Sequence, residues 1–490
     1  MSTQIPGTTA DPRRWKALAV LGLMQFMLIL DVTVVNVALP DIKTALGFSQ
    51  SGLAWVVNGY VLMAGGLLLL GGRVADIFGR KRLFLIGVAV FAVASAACGL
   101  AQNPEMLVIS RFAQGVGEAL AAPAALGLIA LLFPDPVERM KALGTWGGIA
   151  GLGGTLGSVI SGFLTDFASW RWIFLINVPV AVAVLLIMPR LVSESRMKQG
   201  SARPDYLGTI VGTAGLIGVV DGLISAADHP WGSASVLLPL LGGIALIALM
   251  LVIEARSDAP LIPVSFFKNR TRVVTNLTTL FFSCGFFTYF FLLTLYQQQV
   301  LHWSPLKSGL SYLPFGISMG IGIPLASAVM PRIGVKPIMA IGFFGSALGL
   351  YLTSTIGIST SYAGHILPGM IILGLFSGIC FPATSNASLH EVTIQDSSLA
   401  AGVQSAIQQI GGALGLATLA TLAIRHSQSL VKNGVNPRLA SVQGSQLALR
   451  IAVVLCVISG ILAIGLLEHV IAERRSPLTE QPAEPADTTC

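Results

Sequence analysis

The sequence predicts an all-α polytopic membrane protein of fourteen spans, and three observations predict it. Of 490 residues, 54% are hydrophobic and 10% charged, and the mean hydropathy is +0.80, too apolar for a globule that must cover itself with polar surface. Fourteen apolar runs approach the length of roughly 20 residues that crosses a bilayer. The Lys and Arg residues are shared unequally between alternate connections.

The runs fall at 16–39, 53–72, 83–101, 106–132, 142–165, 172–189, 206–225, 235–253, 273–299, 308–330, 337–356, 362–386, 399–424 and 448–468. Each is read as a helix, because unpaired backbone groups are too costly in hydrocarbon. With the N-terminus in the cytoplasm, 21 of the 29 Lys and Arg residues fall inside and seven outside, and Arg111 lies within a span. The even count returns the C-terminus to the cytoplasm. The exception is the last external connection, a polar break over 426–446 that gathers Arg425, Lys432, Arg438 and Arg450 around it. The net charge of +7 is thus an orientation signal spread over many connections, which argues against nucleic acid as a partner.

Met1–Asp11 is polar, and the first run is long with no small-residue cleavage pattern after it, so it reads as an uncleaved span. Cys98, Cys284, Cys380 and Cys456 sit singly in apolar runs as small core residues, and Cys490 lacks a prenylation box. No disulfide or metal framework is implied. The six histidines form no metal or nucleophile constellation, and no GxxxxGK[ST] phosphate loop is present, so neither an enzyme nor direct ATP drive is indicated.

The chain divides into a cytoplasmic N-terminus (1–15), an N-terminal six-helix bundle (16–189), a linker with two extra spans (190–271), a C-terminal six-helix bundle (272–468) and a cytoplasmic tail (469–490). A weak internal repeat supports the two halves. GRKRLFLIG (79–87) lays on GVKPIMAIG (334–342), an interval of eight spans, as if two helices had been inserted between six-helix halves. Halves built by repetition around a central site are common in secondary transporters.

GGRVADIFGRKR (71–82) packs four cations and an aspartate into a short connection between apolar runs, so it is read as a loop at the membrane surface. It resembles the loop signature of the major facilitator superfamily. LDVTVVNVALP (30–40) and SWRWIFLINVP (169–179) resemble the fourteen-span drug:proton antiporter group within that family. The resemblance covers nearly the whole chain and implies two six-helix bundles rocking around a central cavity. Through it Asp76 is expected to sit against a helix N-terminus of the other half, where a negative charge is favoured. Gly72, Arg73, Gly79, Arg80 and Arg82 would complete the cytoplasmic gate. A solvated basic loop explains the cations but not Asp76 or the glycines.

Asp31 is the first candidate for proton coupling, because an ionisable group inside a span costs roughly 2.5–3.5 kcal/mol on insertion scales. It lies roughly 22 Å along its span from Lys16, and Arg111 lies roughly 9 Å in from Glu105 on a span entering from outside. Asn58 comes to a similar level. A cavity that alternately hydrates Asp31 and pairs it would load and release a proton; the alternative is a static polar pair holding helices together. RFAQGVGEA (111–119) resembles the family's RxxQGxG pattern, in which Arg111 and Gln114 look towards the cavity. Glu118 departs from that pattern, one turn from Gln114 at i, i+4. It is read either as a second proton or cation site or as a carboxyl bonded to a neighbour.

GGTLGSVISG (153–162) resembles the antiporter glycine motif through Gly153, Gly157 and Gly162, with Ser158 where a proline is expected and Ser161 where a glycine is. For substrate, Gln25 on the first span, Asn58, Gln114, Phe286 and Tyr289 on the ninth, and Gln404 and Gln408 on the thirteenth offer amides and rings that suit flat lipophilic cations. A phenylalanine stripe equally packs or faces lipid. Asp221, in the inserted pair, is read as structural, and Asp166 as a cap on the turn into Trp170.

The leading reading is a proton-coupled antiporter of hydrophobic, often cationic drugs or antibiotics in a bacterial cell (inner) membrane. It would work as a monomer, without cofactor, driven by the proton-motive force. The alternatives are a narrow exporter of one endogenous metabolite or antibiotic, and a non-transporting membrane sensor.

Overall fold

The computed structural model describes residues 13–194, 206–257, 260, 266, 268–390 and 397–467. Of the expected N-terminal segment 1–15 only 13–15 are described, and residues 195–205 of the linker and the tail 469–490 lie outside the described residues. All regular structure among the described residues is helical. Fourteen helices are long and apolar enough to cross a membrane. They are α1 (Arg14–Leu46), α2 (Ala54–Phe78), α3 (Arg80–Gly99), α4 (Pro104–Leu132), α5 (Pro136–Phe167), α6 (Trp172–Leu191), α7 (Tyr206–Ser225), α8 (Ala234–Arg256), α9 (Arg270–Val300), α10 (Pro305–Ile333), α11 (Val335–Thr353), α12 (Tyr362–Ser388), α13 (Ser397–Lys432) and α14 (Pro437–Leu466). The chain is a multi-pass membrane protein. We call the side where α1 begins the terminal face, and the side where α1 ends the distal face.

Two sequence readings change. The charged stretch 71–82 is not a loop: α2 continues to Phe78, α3 begins at Arg80, and Gly79 alone makes the turn at φ +110°. Only glycine adopts that conformation readily. Gly334 does the same between Ile333 and Val335 at φ +87°, so the repeat detected in sequence is a repeated single-glycine turn. The polar break at 426–446 is likewise mostly helix, because α13 runs to Lys432 and α14 starts at Pro437. Asn436 supplies the start, its side chain accepting from Arg438 N–H, with proline at the first helical position.

The halves repeat in their packing too. Helix α1 packs on α5 and α6, α2 and α3 pack on α4, and α3 packs on α6; eight helices later α9 packs on α13 and α14, α10 and α11 on α12, and α11 on α14. Small residues permit these approaches. A Cβ on Gly71 would lie 1.9 Å from the Ala119 carbonyl oxygen of α4. The inserted hairpin is asymmetric: α7 packs on α2 and on α13, straddling the seam between the halves, whereas α8 packs chiefly on α7.

Across the seam, α5 meets α10 in its distal half. Cβ atoms on Gly162 and Gly309 would strike the Pro305 and Ser158 carbonyl oxygens at 2.6 and 2.2 Å. Nearer the terminal face, Cβ atoms on Gly144, Gly147, Gly148 and Gly151 would meet nothing within 4 Å. Helices α2 and α13 stay in contact, with Gly65 against Gln409 and Gly402 against Leu69. The seam between α5 and α10 is thus in contact at its distal end, and these four α5 glycines nearer the terminal face look onto open space.

Candidate functional site

Asp31 and Arg111 form an ion pair deep inside the N-terminal half, at 0% and 1% side-chain exposure. Helices α2, α3, α4 and α6 all contribute. Arg111 Nε donates to Val56 O of α2 at 2.8 Å, and its Nη1 also donates to Gln114 Oε1 at 2.8 Å. Gln114 Nε2 donates to Asp31 Oδ1 at 3.1 Å and to Ser95 Oγ of α3 at 2.7 Å. Asn177 Nδ2 of α6 donates to the same Asp31 oxygen at 2.9 Å. The guanidinium lies over the Tyr60 ring, 4.3 Å from its centroid. A buried charge is tolerable only when paired and hydrogen-bonded in this way.

This geometry revises two expectations. Gln114 is fully buried and spent on the ion pair rather than turned to a cavity. Asn58 is buried on α2, but neither polar atom of its side chain has a hydrogen-bond partner, so it does not join the pair. Asn177 escaped the sequence reading although it stands within SWRWIFLINVP; an amide in an apolar run was the available signal.

Glu118 lies one turn further along α4, 8% exposed. Its Oε1 accepts from Gln409 Nε2 of α13, across the seam, at 3.4 Å. Its Oε2 has no partner, and the Tyr60 hydroxyl lies beside it without a hydrogen bond of good geometry. Tyr60 thus touches both acids' surroundings: its ring carries Arg111 and its hydroxyl faces Glu118.

The C-terminal half answers with aromatics. Phe286 is half-buried among Phe282, Phe290, Phe315 and Phe381, with ring centroids 5.6, 5.2, 6.0 and 5.5 Å away. Tyr289, expected to meet substrate, is 0% exposed and packed into its own half. Gln404 is also buried and accepts from Ser388 Oγ at 3.0 Å. Gln25 and Gln408 are half-buried.

At the terminal face Asp76 pairs with Arg80, four residues on, at 2.8 Å, and Arg80 Nη1 also donates to Gly127 O of α4 at 3.0 Å. Among the described residues Asp76 makes no hydrogen bond or ion pair with a helix of the other half. The N-terminus of α3 is held instead by Glu194, which accepts from Lys81 and Arg82 N–H at 3.2 and 3.1 Å. Arg82 approaches the same carboxylate at 3.9 Å, Gly72 packs near Pro123, and Arg73 is exposed.

An acid set against a helix start of the opposite half does exist, at the distal face. Asp166 Oδ2 of α5 accepts from Leu306 N–H in the first turn of α10 at 2.9 Å, where the helix dipole favours an anion. Asp166 therefore does not serve the turn into Trp170. On the same helix Gly153 and Gly157 press on α1, where a Cβ would lie 3.2 Å from Phe26 O and 1.9 Å from Thr33 Oγ1. Ser161 Oγ donates to Val34 O at 2.5 Å. Gln298 Nε2 of α9 adds a second distal link by donating to Val37 O of α1 at 2.7 Å.

Known proteins are similar to this chain in sequence and in fold. The chain is 35% identical over 484 residues to the puromycin resistance protein pur8 of Streptomyces alboniger, covering 97% of this chain and 96% of that protein. It is 37% identical over 412 residues to the lincomycin resistance protein of Streptomyces lincolnensis, covering 84% of each. Among solved structures, a bacterial homologue of the human lysosomal transporter Spinster matches with a TM-score of 0.67 at 16% identity, over 93% of this chain and 97% of that one. The xylose transporter XylE of E. coli matches at 0.63 and 16% identity, over 94% and 98%. The family profile described as Major Facilitator Superfamily matches residues 21–416, and the chain belongs to that superfamily of membrane transporters.

Proposed function

We propose that this protein exports hydrophobic, often cationic drugs or antibiotics across a bacterial cell membrane in exchange for protons. The observation that carries the reading is the linkage of two buried acids through Tyr60: Asp31, locked to Arg111, and Glu118, which touches the opposite half through Gln409. The names of the relatives support export of antibiotics: resistance to puromycin and lincomycin, and the cephamycin export protein of Amycolatopsis lactamdurans, 35% identical over 409 residues, 83% of this chain and 84% of that protein.

The terminal face is the cytoplasmic one, and the distal face opens outwards. Substrate enters along α5 while Asp166 and Gln298 hold the distal face shut. Glu118 binds the proton, because among the described residues it has no cation within hydrogen-bond reach and its Oε2 meets only the Tyr60 hydroxyl. Protonation changes what it offers to Gln409, from acceptor alone to acceptor and donor, and so alters the balance between the two packings of α4 on α13. Asp31 and Arg111 answer as a pair, since separating them would strand a charge at a cost of about 3–5 kcal/mol. Each proton moving inward makes about 2.3 kcal/mol available per 100 mV. The protein works as a monomer in the lipid bilayer, without a cofactor.

A narrower reading, export of one antibiotic or endogenous metabolite, is favoured by relatives named for single antibiotics. Efflux of ethidium and of single antibiotics from an efflux-deficient host separates the two. An uncoupler abolishes efflux under either reading, and efflux surviving collapse of the proton gradient contradicts both.

A further inference from the structure

A groove of about 410 Å³ opens between the inserted helix α7 and residues of α2 and α4. Its walls are almost entirely apolar: Trp55 and Phe112 form one side, with ring centroids 5.8 Å apart, and Ala214, Ile217 and Gly218 form the other. Into it comes one charge. Asp221 lies four residues, roughly 6 Å, short of the distal end of α7. It is half-buried and has no hydrogen bond or ion pair among the described residues. Arg425 of α13 reaches the same end of α7, but donates to the carbonyls of Ala226 and His229 at 2.6 and 3.0 Å instead.

We infer that this groove binds a lipophilic monovalent organic cation, with its charge at Asp221 and its apolar body against Trp55 and Phe112. An acid within a span is costly and rarely idle, and aromatic faces attract cations, more strongly when desolvated. One carboxylate among hydrocarbon walls lacks the several oxygens an inorganic cation needs to replace its hydration shell, so the partner brings its own apolar cover. The volume lies within the range of small-molecule sites. Trp55 and Phe112 stand one residue from Val56 and Arg111, but Asp221 itself makes no bond to the Asp31–Arg111 network among the described residues.

The test is photolabelling of the full-length protein in lipid nanodiscs with tetraphenylphosphonium carrying a diazirine on one ring. Labelled residues are read by mass spectrometry, with plain tetraphenylphosphonium as competitor. Competable label on Trp55, Phe112 or Ile217 is expected, falling at least tenfold in Asp221→Asn and retained in Asp221→Glu. The neutral tetraphenylmethane analogue should leave these residues unlabelled. Equal labelling in Asp221→Asn, equal labelling by the neutral analogue, or label confined to other helices overturns the inference. Because binding is read without transport, a failure here is distinct from a failure of the export reading.

Discussion

Asp166 on the N-terminal half caps the first turn of α10 on the C-terminal half, its carboxylate accepting from Leu306 N–H at 2.9 Å. This bond crosses the seam at the distal face, where the halves must part if the cavity is to open that way. Losing a cap of this kind costs about 0.5–2 kcal/mol, or roughly a two- to thirtyfold shift in the closed-to-open ratio. Spin labels at Phe163 and Leu310, both exposed, should report a larger open population in Asp166→Ala. Asp166→Asn keeps an acceptor and should stay close to the parent distances; identical distributions in Asp166→Ala would remove its latch role.

Gly162 tests the same closure sterically. A side chain there meets Pro305 O at 2.6 Å and the Leu306 backbone at 2.7 Å, and rigid backbone cannot yield as a flexible side chain does. Gly162→Leu should hold the distal face apart and lower transport more than tenfold, with the folded protein recovered in normal yield. Transport at the parent rate would mean that this seam need not close.

Asp76 and Arg80 bind each other within one segment. Their substitutions should therefore be non-additive: Asp76→Asn and Arg80→Gln should each slow transport, and the double variant should be no slower than the worse single one. Additive losses would assign the two residues to separate partners. Glu194 caps the start of α3 through Lys81 and Arg82 N–H; Glu194→Gln keeps one acceptor oxygen and should cost less than the about 0.5–2 kcal/mol of a lost cap.

Asn177 holds Asp31 from α6 at 2.9 Å. A hydrogen bond to a charged group contributes about 1.5–3 kcal/mol, so Asn177→Ala should lower the denaturation midpoint in detergent measurably, and Asn177→Val should do the same. An unchanged midpoint would show that the ion pair does not need the amide.

Much of this was legible before the structure. Fourteen spans stand out because lipid demands unbroken apolar runs, and Asp31, Arg111 and Glu118 stand out because each is ionisable within one. What the sequence withheld was direction around the helix axis. In water an apolar stripe marks the buried face, but lipid and core are both apolar, so Gln114 and Tyr289 gave no sign of pointing into their own halves rather than the cavity. Contacts between distant segments, such as Asp166 with Leu306 or Glu118 with Gln409, have no local signature at all. The stretch 71–82 misled because its charges suggest a loop, whereas a single glycine reverses the chain and leaves the charges on helix ends.

The most direct measurement is substrate-induced proton movement in everted vesicles, with ethidium as substrate, comparing the parent protein with Glu118→Gln. This variant keeps a neutral side chain of the same shape and the contact to Gln409, and leaves the Asp31–Arg111 pair whole. Proton coupling through Glu118 predicts ethidium-induced proton release in the parent and none in Glu118→Gln, which should still bind ethidium. Release at the parent rate in Glu118→Gln would contradict it.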